Sequence, residues 1–110
     1  MAYTRLNPKV QPLESTTAST VSGVSTADDI ILEKRGGVVT MTINRLDTVS
    51  ALTARTTVAN IPSGWRPATT LYPMFTNIFE QYIVNPNGTI QMNARQTGVR
   101  YGSVTYVVAN

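Results

Sequence analysis

Hydrophobic and polar residues alternate along most of the chain after its first quarter, and this pattern predicts β-strands. In "GGVVTMTINRL", Val39, Met41 and Ile43 alternate with threonine and asparagine, which gives one apolar face and one face of hydroxyl and amide groups. The preceding "DDIILEKR" predicts the partner strand of a hairpin. Gly36 and Gly37 supply the conformational freedom that the reversal needs.

A second hairpin is predicted in "QYIVNPNGTIQMNA", where an Asn-Pro-Asn-Gly turn separates two alternating runs. Pro86 fixes its own φ, and Asn87 and Gly88 tolerate the left-handed backbone of a tight turn. "TTVANI" and "YGSVTYVV" predict further strands, and "TTLYPMFTN" predicts one with an edge or a bulge at Pro73. The stretch "DTVSALTAR" is also compatible with a single helical turn. About seven or eight short strands result, which is typical of an antiparallel β-sandwich or jelly roll.

The first 27 residues differ from the rest because they are polar and show no helical period. The β-branched residues of "STTASTVSGVST" favour extended backbone. We therefore divide the chain into an extended N-terminal arm, residues 1–27, and a head domain, residues 28–110. We expect the arm to order against a partner or a neighbouring subunit, and a leader without fixed structure is the alternative.

Composition narrows the possible chemistry. The chain has 110 residues, enough for one core, and contains no Cys and no His, which excludes thiolate and imidazole chemistry. Asp28 and Asp29 are adjacent and therefore point to opposite faces of a strand, so they form a poor catalytic pair. No loop offers the spaced oxygen ligands of a Ca²⁺ site. We expect a non-enzymatic protein without a cofactor or a metal.

The charge pattern bears on partners. The net charge is +3, but the arginines are spread singly, whereas a surface that follows phosphates needs a cluster. Charged residues are only 14% of the chain, and its many Ser, Thr and Asn suit contact with carbohydrate or with copies of itself. No apolar run approaches the roughly 20 residues that span a bilayer, and the start has no apolar signal-peptide core. We expect no nucleic-acid partner and no membrane insertion.

Four motifs occur in a familiar order: "IILEKRGGVVTMTI", "IPSGWRPATT", "YIVNPNGTIQM" and "GSVTYVV". Together they resemble the head domain of phage receptor-binding and tail-fibre proteins, above all those of siphophages that infect Gram-positive bacteria. The resemblance covers residues 28–108. It implies a homotrimeric antiparallel β-sandwich in the virion, made in the host cytoplasm, that binds bacterial cell-wall saccharide at its distal end.

One departure from this family keeps an alternative open. The longer N-terminal shoulder and neck of such adhesins have no counterpart in residues 1–27. The same sandwich also serves as a capsid-decorating head fibre or an assembly protein, held to another virion protein by the arm. The candidate anchor residues in the arm are Leu6, Val10 and Leu13.

The resemblance and the side-chain chemistry together indicate saccharide contacts around "FTNIFEQYIVN" and the turn before the last strand. The candidate saccharide-binding residues are Trp65, Arg66, Asn77, Glu80, Gln81, Tyr82, Gln91, Asn93 and Arg100. Structural roles are the alternative, with a half-buried Tyr82, a surface charge at Glu80 and a solvated loop near the end. Both faces of the last strand are apolar, so the candidate trimer interface is Val104, Tyr106, Val107 and Val108.

The "PSGWRP" loop allows two interpretations. Pro62 and Pro67 restrict it, and Gly64 permits its turn. In the first, Trp65 packs into the core and Arg66 binds backbone, so the loop is a corner of the sandwich. In the second, Trp65 is a stacking platform for a sugar and Arg66 donates to hydroxyl or phosphate groups.

Overall fold

The computed structural model describes residues 12–109, which form strands and turns without a helix. Every strand pairing in this part of the chain is antiparallel, which confirms the predicted all-β fold. The strands are β1 (Glu14–Thr17), β2 (Ser19–Thr20), β3 (Ser25–Thr26), β4 (Asp29–Arg35), β5 (Val38–Thr48), β6 (Leu52–Asn60), β7 (Ile83–Val84), β8 (Thr89–Ala94) and β9 (Arg100–Val107).

Two sheets enclose one core. Sheet I has the order β1-β4-β5-β3, with β9 also paired to β5, and sheet II has the order β2-β6-β8-β7. Alternate residues of β5 are buried, as are alternate residues of β8, because each strand turns one face to the core. Ile43 of sheet I and Ile90 of sheet II belong to the same buried cluster. This arrangement is consistent with a small β-sandwich.

Both predicted hairpins are confirmed. β4 pairs with β5 around the two glycines, from Arg35 opposite Val38 to Asp29 opposite Asn44. β7 pairs with β8 around the Asn-Pro-Asn-Gly turn, where Gly88 has a φ of 93°. The alternation of apolar and polar residues therefore located these strands correctly.

Two local predictions are wrong. "TTLYPMFTN" is not a strand: residues 71–82 form a loop, in which Leu71 makes an isolated bridge to Val84 of β7 and Met74 makes one to Gln81 within the loop. Pro73 lacks the N–H that a continuous ladder would need there. The stretch proposed as a helical turn instead ends β5 at Thr48 and begins β6 at Leu52.

The predicted arm lies partly on the sheets of its own chain. β1 pairs with β4, β2 with β6, and β3 with β5. Strands within residues 14–26 therefore pair with the sheets of their own chain, and the division of the chain at residue 27 stays a prediction. Leu13 is exposed. Leu6 and Val10, the other anchor candidates, lie outside the described residues.

The last strand divides the candidate trimer-interface residues between its two sides. Tyr106 is buried in its own chain, and Val104 and Val108 pack against the same core. Val107 alone points outward, with 63% of its surface exposed. The earlier assignment of Tyr106 to a subunit interface is therefore corrected, because its side chain completes the core of one chain.

The molecule has two distinct ends. One end, called the corner end, holds the turns at residues 36–37, 61–67 and 85–88. There, Val108 N donates a hydrogen bond to Gly37 O at 2.9 Å. The other end, called the groove end, holds the turns at residues 21–24, 48–52 and 95–99. There, Val49 N donates a hydrogen bond to Val24 O at 2.9 Å.

Candidate functional site

At the end of the molecule that holds the 95–99 turn, a groove combines aromatic, amide and guanidinium groups. It encloses about 390 Å³ and lies over β6, β7 and β8. Among its lining residues are Arg55, Phe79, Glu80, Gln81, Asn93 and Arg95. The structure therefore brings together three of the predicted saccharide-binding residues, namely Glu80, Gln81 and Asn93, on elements far apart in the sequence.

The groove carries positive charge. Arg55 and Arg95 are both exposed, and neither guanidinium has a carboxylate within salt-bridge distance among residues 12–109. Glu80 also lines the groove, but its carboxylate is paired with Arg100. The uncompensated charges that face a ligand are therefore the two guanidinium groups, which suit carboxylate or phosphate oxygens.

Phe79 stands at the tip of the 71–82 loop with 97% of its surface exposed. The loop is held from below by backbone contacts: Phe75 N donates to Glu80 O at 2.9 Å. Asn77 Nδ2 donates to Val99 O at 2.9 Å, and Asn77 Oδ1 accepts from Tyr101 N at 2.8 Å. The amide of Asn77 therefore binds the loop to β9, and its predicted saccharide contact stays a prediction.

Arg100 is fully buried, with 0% of its surface exposed, behind the groove wall. Its Nε and Nη2 donate to the two carboxylate oxygens of Glu80, the latter at 3.4 Å. Nη1 donates to Gly98 O at 2.7 Å, and Nη2 donates to Gln96 O at 2.9 Å. A ligand in the groove would not reach this guanidinium, so Arg100 supports the site without lining it.

The Trp65 corner lies at the opposite end from the groove. The Trp65 ring is half-buried against the core, and Lys34 Nζ sits 4.3 Å from the ring centroid while donating to Gly64 O at 2.8 Å. Arg66 Nε donates to Ile61 O at 2.9 Å. These contacts agree with the first interpretation of the loop, in which it forms a corner and Arg66 binds backbone.

Two further candidates, Tyr82 and Gln91, are held inside the structure. Tyr82 is fully buried, and its ring stacks on Phe75 with the centroids 4.5 Å apart. Gln91 Oε1 accepts from Asn85 Nδ2 at 2.9 Å, and Gln91 Nε2 lies 3.5 Å from Thr57 Oγ1. Tyr82 is therefore inaccessible to a saccharide in this conformation, and Gln91 braces the surface of sheet II.

Comparison with known proteins reveals no relative of this chain. No protein-family model matches the chain, and a search of the curated proteins finds no significant match. Within residues 12–109, no three metal-ligating side chains come together, and no helix there is long and apolar enough to cross a membrane.

Sequence reasoning missed Arg55 as a groove residue, and it did not single out Phe79 or Arg95 although both lie where saccharide contacts were predicted. A usable signal existed for Phe79, because a large aromatic residue lies within the predicted binding segment "FTNIFEQYIVN". Arg95 lies at the turn before the last strand, where contacts were predicted, so of the two arginines only Arg55 carried no signal. They lie about 40 positions apart in the chain, and only the pairing of β6 with β8 brings them to one groove.

The buried tyrosines predict the response to alkaline pH. Burial raises the pKa of Tyr82 to about 12 and that of Tyr106 to about 12. In the unfolded chain these phenols lose their protons near pH 10, so stability is full below that pH and falls as the pH rises toward 12. We expect a loss of roughly 2 kcal/mol of unfolding free energy per buried phenol. Urea unfolding between pH 9 and 11.5 measures it.

Tyrosinate absorbance provides the control for this prediction. Tyr82 and Tyr106 should gain tyrosinate absorbance only as the chain unfolds, because both phenols are buried. Tyr82→Phe should remove its share of the alkaline loss, and Tyr72→Phe should not. Titration of Tyr82 and Tyr106 near pH 10 in the folded chain would contradict the burial argument.

Proposed function

We propose that the chain is a non-enzymatic phage virion protein whose small jelly-roll-like head binds bacterial cell-surface saccharide through the groove. The resemblance to receptor-binding heads suggests this class of function, and the groove supplies a place for it. The observation that carries the proposal is the combination, in one concave surface, of a nearly fully exposed Phe79 with two arginines that have no carboxylate partner among residues 12–109.

The groove chemistry matches a sugar that carries acidic groups. An aromatic face packs against the C–H side of a sugar ring, while amides such as Gln81 and Asn93 exchange hydrogen bonds with hydroxyls. Arg55 and Arg95 are placed to bind phosphate or carboxylate oxygens with paired N–H donors. Teichoic-acid-like wall polymers present both hydroxyl groups and phosphate groups. Binding would be weak per site, and several copies would make attachment firm through avidity.

A matched pair of variants tests the groove. Arg55→Met and Arg35→Met each remove one exposed charge, the first from the groove and the second from the end of β4 at the corner end. On an array of phosphate- and carboxylate-bearing glycans with neutral counterparts, we expect Arg55→Met to weaken binding of the acidic glycans about fivefold. Arg35→Met should leave binding within about twofold. Equal losses would show that only net charge matters.

Self-association is the second part of the proposal, and the outer face of sheet I supports it. Over two rows that cross four strands, Glu33 is the one charged residue of this face, and a low content of charge is typical of the centre of protein interfaces. The rows are Ser15, Glu33, Thr40 and Thr105, and then Thr17, Ile31, Thr42 and Ser103. The next row consists of Arg35, Val38 and Val107, and all three are exposed.

We propose that a second copy of the chain packs on this face, in a trimer as the resemblance implies. Val107→Asp should shift the mass in light scattering toward the single chain, because a buried carboxylate without a partner is costly. Val49→Asp is the matched control, since Val49 is equally exposed but lies at the groove end. A chain that is single at every concentration up to about 0.1 mM would contradict self-association.

The capsid-decorating or assembly function is the alternative, and the same face of sheet I favours it, because a surface with few charges also suits a contact to another virion protein. The part of the arm that precedes β1 would then supply the anchor. A chain that binds no glycan on the array, yet is incorporated into virions and lost from them when that segment is deleted, would decide for this alternative.

A further inference from the structure

We infer that Arg100 is a positioning residue of the groove, which sets the preference for anionic sugars through Glu80 without touching the ligand. This inference rests on the proposed function of the groove. Arg100 is fully buried, so its role in binding would be indirect. The site would then include a buried side chain behind the residues that line the groove.

The first step is geometric. Arg100 binds three segments that meet at the groove end: its guanidinium holds Glu80 of the 71–82 loop, and it also binds the backbone of the 95–99 turn through Gln96 O and Gly98 O. Asp47 at the end of β5 joins the cluster, with its Oδ1 3.8 Å from Arg100 Nη1 and 2.7 Å from Gly98 N. One planar guanidinium therefore fixes the relative position of both loops.

These two loops carry ligand-facing groups. Phe79 directly precedes Glu80, and Arg95 directly precedes Gln96. Phe79 and Arg95 both line the groove. Because Arg100 holds Glu80 and the 95–99 turn in place, it also fixes the distance between the Phe79 ring and Arg95. A site that binds a ring on one side and an acidic group on the other depends on that separation.

The second step is electrostatic. Glu80 lines the groove, and its side chain is 18% exposed, so an unpaired carboxylate there would repel an acidic ligand. Arg100 pairs with that carboxylate from behind. Without Arg100, the negative charge would offset one of the two groove arginines. With it, Arg55 and Arg95 determine the sign of the field that a ligand meets.

The test compares the affinity for glucose 1-phosphate with the affinity for glucose, measured by NMR titration of the amide signals. The ratio of the two affinities reports the charge preference, while a loss shared by both sugars reports loop position. In the wild-type chain we expect glucose 1-phosphate to bind about tenfold more tightly. Inorganic phosphate alone is titrated as well, and it should bind more weakly than the sugar phosphate because it cannot contact Phe79.

Three variants separate the two steps. Arg100→Met leaves Glu80 uncompensated, and the ratio should fall at least about fivefold. Glu80→Gln removes the carboxylate that lines the groove and leaves Arg100 paired with Asp47 alone, so the ratio should rise about threefold. Arg100→Lys keeps the charge but loses the planar two-point contact, so both affinities should fall while the ratio stays within about twofold.

The outcomes distinguish the inference from the proposed function. A merely structural role for Arg100 would lower both affinities and leave the ratio unchanged in every variant, and this result would overturn the inference while the groove stands. Equal affinities for the two sugars in the wild-type chain would overturn both. If Arg100→Met does not fold, Glu80→Gln decides, since an unchanged ratio in that variant also overturns the inference.

Discussion

Replacing Gly88 with alanine should lower the free energy of unfolding by about 2–4 kcal/mol. Gly88 has a φ of 93°, a backbone conformation that side chains with a Cβ disfavour. A Cβ there would also lie 2.7 Å from Ile61 O and closer still to the Arg66 guanidinium. Relieving the clash would break the contacts that hold the corner, including the bond from Ile61 N to Gly88 O at 2.7 Å.

Gly64→Ala is the matched control for this change. Gly64 has a φ of 89°, but no atom lies within 4 Å of a Cβ built on it. This variant carries only the conformational cost, about 1 kcal/mol. Urea unfolding of both variants measures the difference. Equal losses would contradict the claim that Arg66 and the backbone of Ile61 occupy the space beside Gly88.

Phe79→Ala should reduce the affinity for an acidic sugar about tenfold and leave stability unchanged. The affinity loss follows from removal of the stacking face and its contact area. Stability should change by less than about 0.5 kcal/mol, because Phe79 is 97% exposed and packs on nothing in its own chain's core.

An exposed aromatic residue of the same loop provides the control for Phe79. Tyr72 is 58% exposed and lies outside the groove lining. Tyr72→Ala should leave affinity within about twofold. A comparable loss in both variants would show that the loop surface as a whole, and not the Phe79 face, binds the ligand.

The strands that sequence alone located are those with a clear period of two and an unambiguous turn. Val39, Met41 and Ile43 alternate strictly, and Gly36 marks the reversal, so local chemistry fixed that hairpin. β1 was not foreseen as part of the fold, because its Ser- and Thr-rich residues contribute little to the core. Its place depends on the free edge of β4, which is a property of the tertiary structure.

The 71–82 loop and β9 show where local patterns fail. Leu71 and Phe75 turn inward at strand-like spacing, but Pro73 interrupts the ladder between them, so an apolar pattern alone suggested a strand. In β9, apolar residues occupy both faces at its end, and the sequence could not tell that Tyr106 faces the core while Val107 faces outward.

The candidate site was only partly predictable for a related reason. Glu80, Gln81 and Asn93 were found because they lie in or near the resembling motif. Arg100 was placed on the surface by its charge, since buried arginines are rare unless they are paired. Its burial depends on Glu80, which lies 20 positions away and meets it only in the folded chain.

The claim that the groove, and not the Trp65 corner, is the binding surface is tested most directly by mapping amide shifts on addition of glucose 1-phosphate. We predict that the perturbed amides cluster at Arg55, at residues 79–81 and at residues 93–95, with residues 63–66 unaffected. Perturbations centred on Trp65, or none at millimolar ligand, would contradict the account.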